Sequence, residues 1–134
     1  MTGFVGRHLV AHLIGEGHEV EGTLLPGLGE VPPDGTRGHE VDITDAVAMA
    51  ALVQQVAPDA LVHLAAAASV GQSFADPEGT WHVNVEGTRG VLEGLRRSAP
   101  AARMVMALSG EEYGRVPLDA LPVTEATPLN PMSP

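Results

Sequence analysis

The stretch Thr2-Gly3-Phe4-Val5-Gly6-Arg7-His8-Leu9 stands at the start of the chain, and the rest is interpreted outward from it. Its two glycines resemble the second half of a turn in which one glycine lets the backbone approach a pyrophosphate and the next allows close helix packing. Free N–H groups at the start of a helix also attract anions. An apolar stripe at Leu9, Val10, Leu13 and Ile14 predicts such a helix directly behind the turn. The glycine and buried strand that usually precede such a turn are not among these residues.

Composition narrows the classes of function. The 134 residues fit one domain, and 44% of them are hydrophobic. The net charge of −10, with seven arginines and no lysine, argues against nucleic acid or an anionic membrane as a partner. The lack of cysteine excludes disulfides, thiolate zinc sites and cysteine nucleophiles. No signal-peptide core or membrane-length apolar run is present, so we expect a soluble, cytoplasmic protein.

Further along, short apolar strands alternate with helices. This pattern predicts an α/β fold with a Rossmann-like, doubly wound parallel sheet. We predict strands at residues 18–25, 39–43, 60–65 and 103–108, with a Gly/Pro-rich loop at 26–38 and loop again from 109 onward. The Thr44-Asp45 pair begins one helix that runs to Val56, and Asp76-Pro77 begins a long helix.

The long helix carries a row of small residues. Gly87, Gly90 and Gly94 each cost about 1 kcal/mol relative to alanine, so another element must press closely on that face. Trp81 is predicted to be a core residue of this helix. On the first helix, His8 and His12 lie four residues apart without an obvious third ligand, so we interpret them as solvated and predict no metal site.

Five motifs, in order and spacing, resemble the extended short-chain dehydrogenase/reductases, the NAD(P)-dependent epimerases, dehydratases and reductases of nucleotide sugars. The resemblance covers essentially the whole chain. It rests on Thr2-Gly3-Phe4-Val5-Gly6, Asp42-Ile43-Thr44-Asp45, His63-Leu64-Ala65-Ala66, Asn84-Val85-Glu86-Gly87-Thr88 and Ser109-Gly110-Glu111-Glu112-Tyr113-Gly114.

Residues 69–77 and the Glu-Glu-Tyr-Gly run look most like the branch that contains GDP-mannose 4,6-dehydratases and GDP-4-keto-6-deoxymannose reductases. Ser109 and the doubled glutamate look more like the reductases. The resemblance therefore implies a GDP-hexose substrate, with NAD or NADP as cofactor. The strand predicted at residues 18–25 corresponds to the second strand of a complete sheet, and it ends in Thr23, Leu24 and Leu25. These residues do not decide between the two cofactors.

The resemblance also implies roles for particular residues. Ser109 would bind the C4 oxygen of the sugar, and Glu111 occupies the position of the carboxylate that removes the C5 proton in dehydratases. Substrate contacts fall on Ser69 and Asn84. Cofactor contacts fall on Gly3, Phe4, Val5, Gly6, Asp42, Ile43, Leu64, Ala65 and Ala66.

Several of these residues have simpler interpretations that stay open from the sequence. Asp42 suits a turn acid before a helix cap, and Asn84 suits a solvated position. Ser109 suits a hydroxyl that caps a turn. Glu111 and Glu112 suit a solvated acidic pair.

The chain departs from the pattern of these enzymes at both ends. Its one tyrosine, Tyr113, is not at the position of the catalytic Tyr-x-x-x-Lys pair, and it has no lysine. Residues 115–134 resemble the loop that leads towards that pair. A doubly wound sheet of order 3-2-1-4-5 without strand 1 has a gap of about 10 Å between strands 2 and 4. We therefore expect residues 1–134 to be a partial Rossmann domain, a fragment that is inactive alone.

Two other hypotheses remain open. The chain could be a non-catalytic nucleotide-binding remnant or regulatory module, or an unrelated doubly wound domain of the flavodoxin or receiver type. The glycine turn argues against the second of these, because such domains lack a dinucleotide turn. The long helix is one that members of the resembled family commonly use for dimerisation, so a homodimer of the full-length form is a further expectation.

Overall fold

A computed structural model describes residues 1–134 as an α/β fold with short parallel strands, which confirms the predicted class. The strands are β1 (Glu21–Leu24), β2 (Arg37–Glu40), β3 (Ala60–His63) and β4 (Arg103–Met106). The helices are α1 (Phe4–Gly15), α2 (Ala46–Val56), α3 (Val70–Ala75), α4 (Pro77–Trp81) and α5 (Thr88–Ser98). A π-helical stretch at His82–Gly87 joins α4 to α5, and 3-10 turns lie at Gly110–Tyr113 and Leu118–Ala120.

The four strands form two separate parallel pairs. Strand β1 pairs with β2, with Glu21 opposite Arg37, and β3 pairs with β4, with Ala60 opposite Arg103. No ladder joins β1 to β3. This division matches the gap expected of a doubly wound sheet whose first strand is not among these residues.

The strands are shorter than predicted. Each is four residues long, because a strand extends only as far as its single partner continues the ladder. The predicted strand at 39–43 is wrong in position. Strand β2 begins at Arg37 and so takes the last residues of the predicted loop.

The predicted helix boundaries are confirmed by the caps. Asp45 accepts hydrogen bonds from the N–H groups of Val47 and Ala48, at 3.1 and 2.9 Å. Asp76 accepts one from Gly79 at 2.9 Å, and Pro77 follows at the first helical position. These carboxylates satisfy donors that have no partner within the helix.

The long helix continues from Pro77 to Ser98 through the π-helical stretch. Helix α3, capped by Ser69, was not predicted, because its sequence Val-Gly-Gln-Ser-Phe-Ala has no amphipathic stripe. Trp81 is 62% exposed, so its prediction as a core residue is wrong. The helix packs on its neighbour through glycines, and this arrangement leaves Trp81 outside the contact.

The core lies between α2, α5 and the strands. Ile43, Met49 and Val91 form its buried centre. The partly buried side chains that pack against them are those of Val41, Leu61, Val83 and Met104. A Cβ added at Gly90 would lie 3.4 Å from the Cα of Ala46 on α2. The close approach predicted from the glycines is therefore confirmed.

Candidate functional site

The predicted site residues share one edge of the fold. Asp42 follows β2, Leu64 to Ala66 follow β3, and Ser109 follows β4. The carboxyl ends of parallel strands meet at a common edge, which is where open α/β sheets bind ligands. Asn84 joins this edge through a hydrogen bond to the loop that follows β3.

The turn before α1 is open at its first glycine and closed at its second. Gly3 caps the helix without a side-chain hydrogen bond, and a Cβ added there would meet no atom within 4 Å. A Cβ added at Gly6, which is buried, would lie 2.5 Å from the carbonyl oxygen of Met1. Phe4 and Val5 between them are exposed. The two glycines thus have the geometry expected for ligand approach and for close packing.

This turn fits the phosphates of a dinucleotide. The first N–H groups of an α-helix have no partner within the helix, and no side chain caps them here. Open space above Gly3 leaves room for an oxyanion to reach them. Gly3, Phe4, Val5 and Gly6 are the residues that would hold such a group.

Asp42 forms a local turn. Its Oδ1 accepts hydrogen bonds from the Thr44 N–H at 2.9 Å and from the Thr44 hydroxyl at 2.8 Å. These two bonds hold the pKa of the Asp42 carboxyl below its usual value. The turn-acid interpretation is therefore confirmed, whereas the cofactor contact stays a prediction. The neighbouring Ile43 directs its side chain into the core, against Gly87.

Asn84 clamps the loop after β3. Its Oδ1 accepts a hydrogen bond from the Ala67 N–H at 2.8 Å, and its Nδ2 donates to the Ala67 carbonyl oxygen at 3.1 Å. The interpretation of Asn84 as a solvated residue is therefore wrong. Leu64 is half-buried beside this clamp, while Ala65 and Ala66 are exposed and free to meet a ligand.

His63 and Thr88 are two residues of this edge to which the sequence assigned no role. His63 is 7% exposed at the end of β3, and its Nε2 lies 3.0 Å from the Thr88 hydroxyl oxygen. Burial lowers the pKa of His63, so the ring is held neutral near pH 7. The sequence feature that could have identified His63 is its polar ring within an apolar strand. His63 lies four residues before Ala67, which Asn84 binds.

The serines cap short helical segments. Ser69 Oγ accepts a hydrogen bond from the Gln72 N–H at 3.3 Å, and Ser109 Oγ accepts one from the Glu111 N–H at 3.2 Å. Both serines and Glu111 are exposed. The capping interpretation of Ser109 is confirmed, and the catalytic and substrate roles of these residues stay predictions.

His8 and His12 are exposed on α1, and the Phe4 ring packs edge-on to His8 with centroids 5.0 Å apart. No group of three or more His, Cys, Asp or Glu side chains is placed to hold a metal ion. None of the helices combines the length and apolar character that crossing a membrane requires.

Residues 1–134 match the NAD dependent epimerase/dehydratase family over their whole length. The chain is 32% identical to a GDP-6-deoxy-D-mannose reductase of Pseudomonas aeruginosa, covering all of this chain and 40% of the reductase. It is 36% identical to a dTDP-glucose 4,6-dehydratase of Mycolicibacterium smegmatis, covering 99% of this chain and 42% of the dehydratase.

Among solved structures, the UDP-glucose 4-epimerase of Thermus thermophilus in complex with NAD superposes with a TM-score of 0.88 and 33% identity. That match covers 98% of this chain and 42% of the epimerase. The chain thus spans about two fifths of the length of the relatives that it matches. From the match over residues 1–134, the chain belongs to the NAD-dependent epimerase/dehydratase family.

Proposed function

We propose that this chain is the nucleotide-binding part of an NAD(P)-dependent enzyme that reduces or dehydrates a nucleotide-linked hexose. The observation that carries the proposal is the turn before α1, where Gly3 is open to ligand and Gly6 is closed by packing. Family membership over residues 1–134 supports the same assignment. When bound, NAD(P) would supply a hydride acceptor or donor for the sugar C4.

The other residues at the shared edge would bind the cofactor, bind the sugar nucleotide or take part in catalysis. Gly3 to Gly6 would bind the pyrophosphate, Asp42 and Ile43 would contact the adenosine, and Leu64 to Ala66 would lie along the cofactor. Ser69 and Asn84 would face the sugar nucleotide. Ser109 would hold the sugar C4 oxygen, and Glu111 would be the carboxylate beside C5.

We further propose a GDP-hexose as the substrate. Residues 69–77 and the Glu111 to Gly114 run resemble the GDP-mannose branch, and the similar Pseudomonas aeruginosa protein is named for a GDP-linked sugar. Other relatives are named for dTDP-glucose and UDP-glucose, so a comparison of the three nucleotide sugars as ligands tests this choice. A cytoplasmic location and a homodimer through the long helix are also proposed, and cell fractionation and sedimentation velocity test them.

A substitution at Gly3 tests the cofactor site. Gly3→Val places a branched side chain where the fold leaves open space, so the helix stays formed while phosphate approach is blocked. We expect NADH to bind at least about tenfold more weakly, which corresponds to about 1.4 kcal/mol. Gly15→Val is the matched control, because Gly15 ends the same helix and also has no neighbour within 4 Å. Equal NADH affinity in the two variants would contradict the proposal.

The coding DNA on both sides of this reading frame tests the catalytic part. A glycine-ended strand upstream and a Tyr-x-x-x-Lys pair downstream would give Ser109 its partners. Neither being present would favour the alternative of a non-catalytic nucleotide-binding remnant.

A further inference from the structure

Two sets of hydrogen bonds tie the end of β3 and its following loop to the long helix. His63 Nε2 lies 3.0 Å from the Thr88 hydroxyl oxygen, and Asn84 holds both the N–H and the carbonyl of Ala67. The two anchors are four residues apart in each segment. Residues four apart lie on one face of a helix, so both anchors of the helix point towards β3. The loop from Leu64 to Ala66 is therefore held at both ends.

The long helix is held beside this loop, because its glycine face packs closely on Ile43 and α2. A Cβ added at Gly87 would lie 2.9 Å from Ile43 Cδ1, and one at Gly90 would lie 3.4 Å from Ala46 Cα. His63 is buried at the contact, and no buried side-chain nitrogen or oxygen lacks a partner. An unpaired polar group there would be costly, which favours keeping the His63 to Thr88 bond.

We propose that His63 and Thr88 are positioning residues for the loop from Leu64 to Ala66. Their hydrogen bond sets the spacing between β3 and the long helix at which Asn84 can hold Ala67. The inference rests on the proposed function, in which this loop lies along the cofactor. Neither residue contacts the cofactor itself, and both act through the position of Ala67.

Three variants of the intact chain test this proposal. Thr88→Val keeps the shape of the side chain and removes the hydroxyl, while Thr88→Ser keeps the hydroxyl. Thr80→Val is the matched control, since Thr80 is also buried on the long helix and its hydroxyl donates to the Asp76 carbonyl at 2.9 Å, away from the loop. The measurements are amide hydrogen exchange at Ala67 and NADH affinity, followed by quenching of Trp81, the one tryptophan.

In Thr88→Val we expect Ala67 exchange to accelerate roughly fivefold, the effect of losing one hydrogen bond, and NADH to bind more weakly. Thr88→Ser should restore both values, and Thr80→Val should lower the melting temperature without changing Ala67. Ala67 exchange that is alike in Thr88→Val and Thr80→Val would overturn the proposal. If the unsubstituted chain binds no NADH, the proposed function fails, whereas Ala67 exchange still decides the positioning role.

Discussion

His63 links folding to pH. Burial lowers its pKa in the folded state, while an unfolded chain has a histidine pKa of about 6.5. Between these two values the unfolded chain binds more protons than the folded one. Stability is therefore full above pH 6.5 and falls as the pH drops from there towards the folded-state pKa.

We expect His63→Gln to flatten this dependence just below about pH 6.5, by up to about one proton taken up on unfolding. Urea unfolding at several pH values measures it. The control is His12→Gln, since His12 is exposed on α1. If His63→Gln kept the full pH slope of the unsubstituted chain, the ring could not be the titrating group.

Asp42 acts in a lower pH range. Its hydrogen bonds with Thr44 hold its folded-state pKa below the unfolded value of about 3.9. The contribution of the turn is therefore present above that value and is lost as the pH falls through the folded-state pKa. The His63 ring and the Asp42 carboxyl titrate in separate pH ranges, so one series of unfolding measurements across pH reports both effects.

The contact between α2 and α5 leaves room at Gly90 for a single methyl group but not for a branched side chain. A Cβ at Gly90 would meet Ala46 at 3.4 Å, an ordinary van der Waals distance, and alanine favours a helix by about 1 kcal/mol over glycine. We expect Gly90→Ala to keep or slightly raise the melting temperature. Gly90→Val adds two methyl groups beyond the Cβ of alanine at a packed contact and should destabilise the chain by roughly 1–3 kcal/mol. Thermal unfolding followed by circular dichroism compares the two.

Gly71→Val provides a reference for valine in a helix, because Gly71 lies in α3 with nothing within 4 Å of its Cβ position. A Gly90→Val chain as stable as Gly71→Val would mean that the helices are not closely packed at this point.

Local chemistry explains which elements could be predicted from the sequence. Asp45 and Asp76 accept hydrogen bonds from N–H groups no more than three residues further along the chain. The starts of their helices could therefore be predicted from local sequence. Strand ends depend on a partner that is distant in sequence, and β2 was misplaced for that reason. The prediction that Trp81 is a core residue was wrong because helical periodicity alone does not show which face of a helix meets a neighbour. His63 and Thr88 are 25 residues apart, and only the fold brings them together.

The surface of residues 1–134 is large for their mass. The accessible area is 9262 Å², whereas about 6,700 Å² is typical of a compact monomer of 13.9 kDa. Apolar side chains such as Phe4, Val105 and Leu108 contribute to it. The division of the strands into two pairs leaves apolar side chains uncovered.

We expect residues 1–134, expressed alone, to bind the dye ANS in native buffer while they still unfold cooperatively in urea. Exposed apolar surface and few buried residues are the causes of the dye binding, since only 14 of 134 residues are buried. Absence of ANS binding in native buffer would show instead that the apolar side chains of these residues are covered.

The π-helical stretch has a consequence for insertions and deletions. A wide turn of this kind is equivalent to one extra residue accommodated within an α-helix. Deleting one residue between His82 and Gly87 would let the helix return to regular α geometry, with α5 still packed on α2 through Gly90. Because the wide turn already absorbs the extra residue, the part before the deletion would keep its direction relative to α5. Trp81 would stay on the same side of the molecule, so this stretch is the place in the long helix where losing one residue leaves both halves facing as they do now.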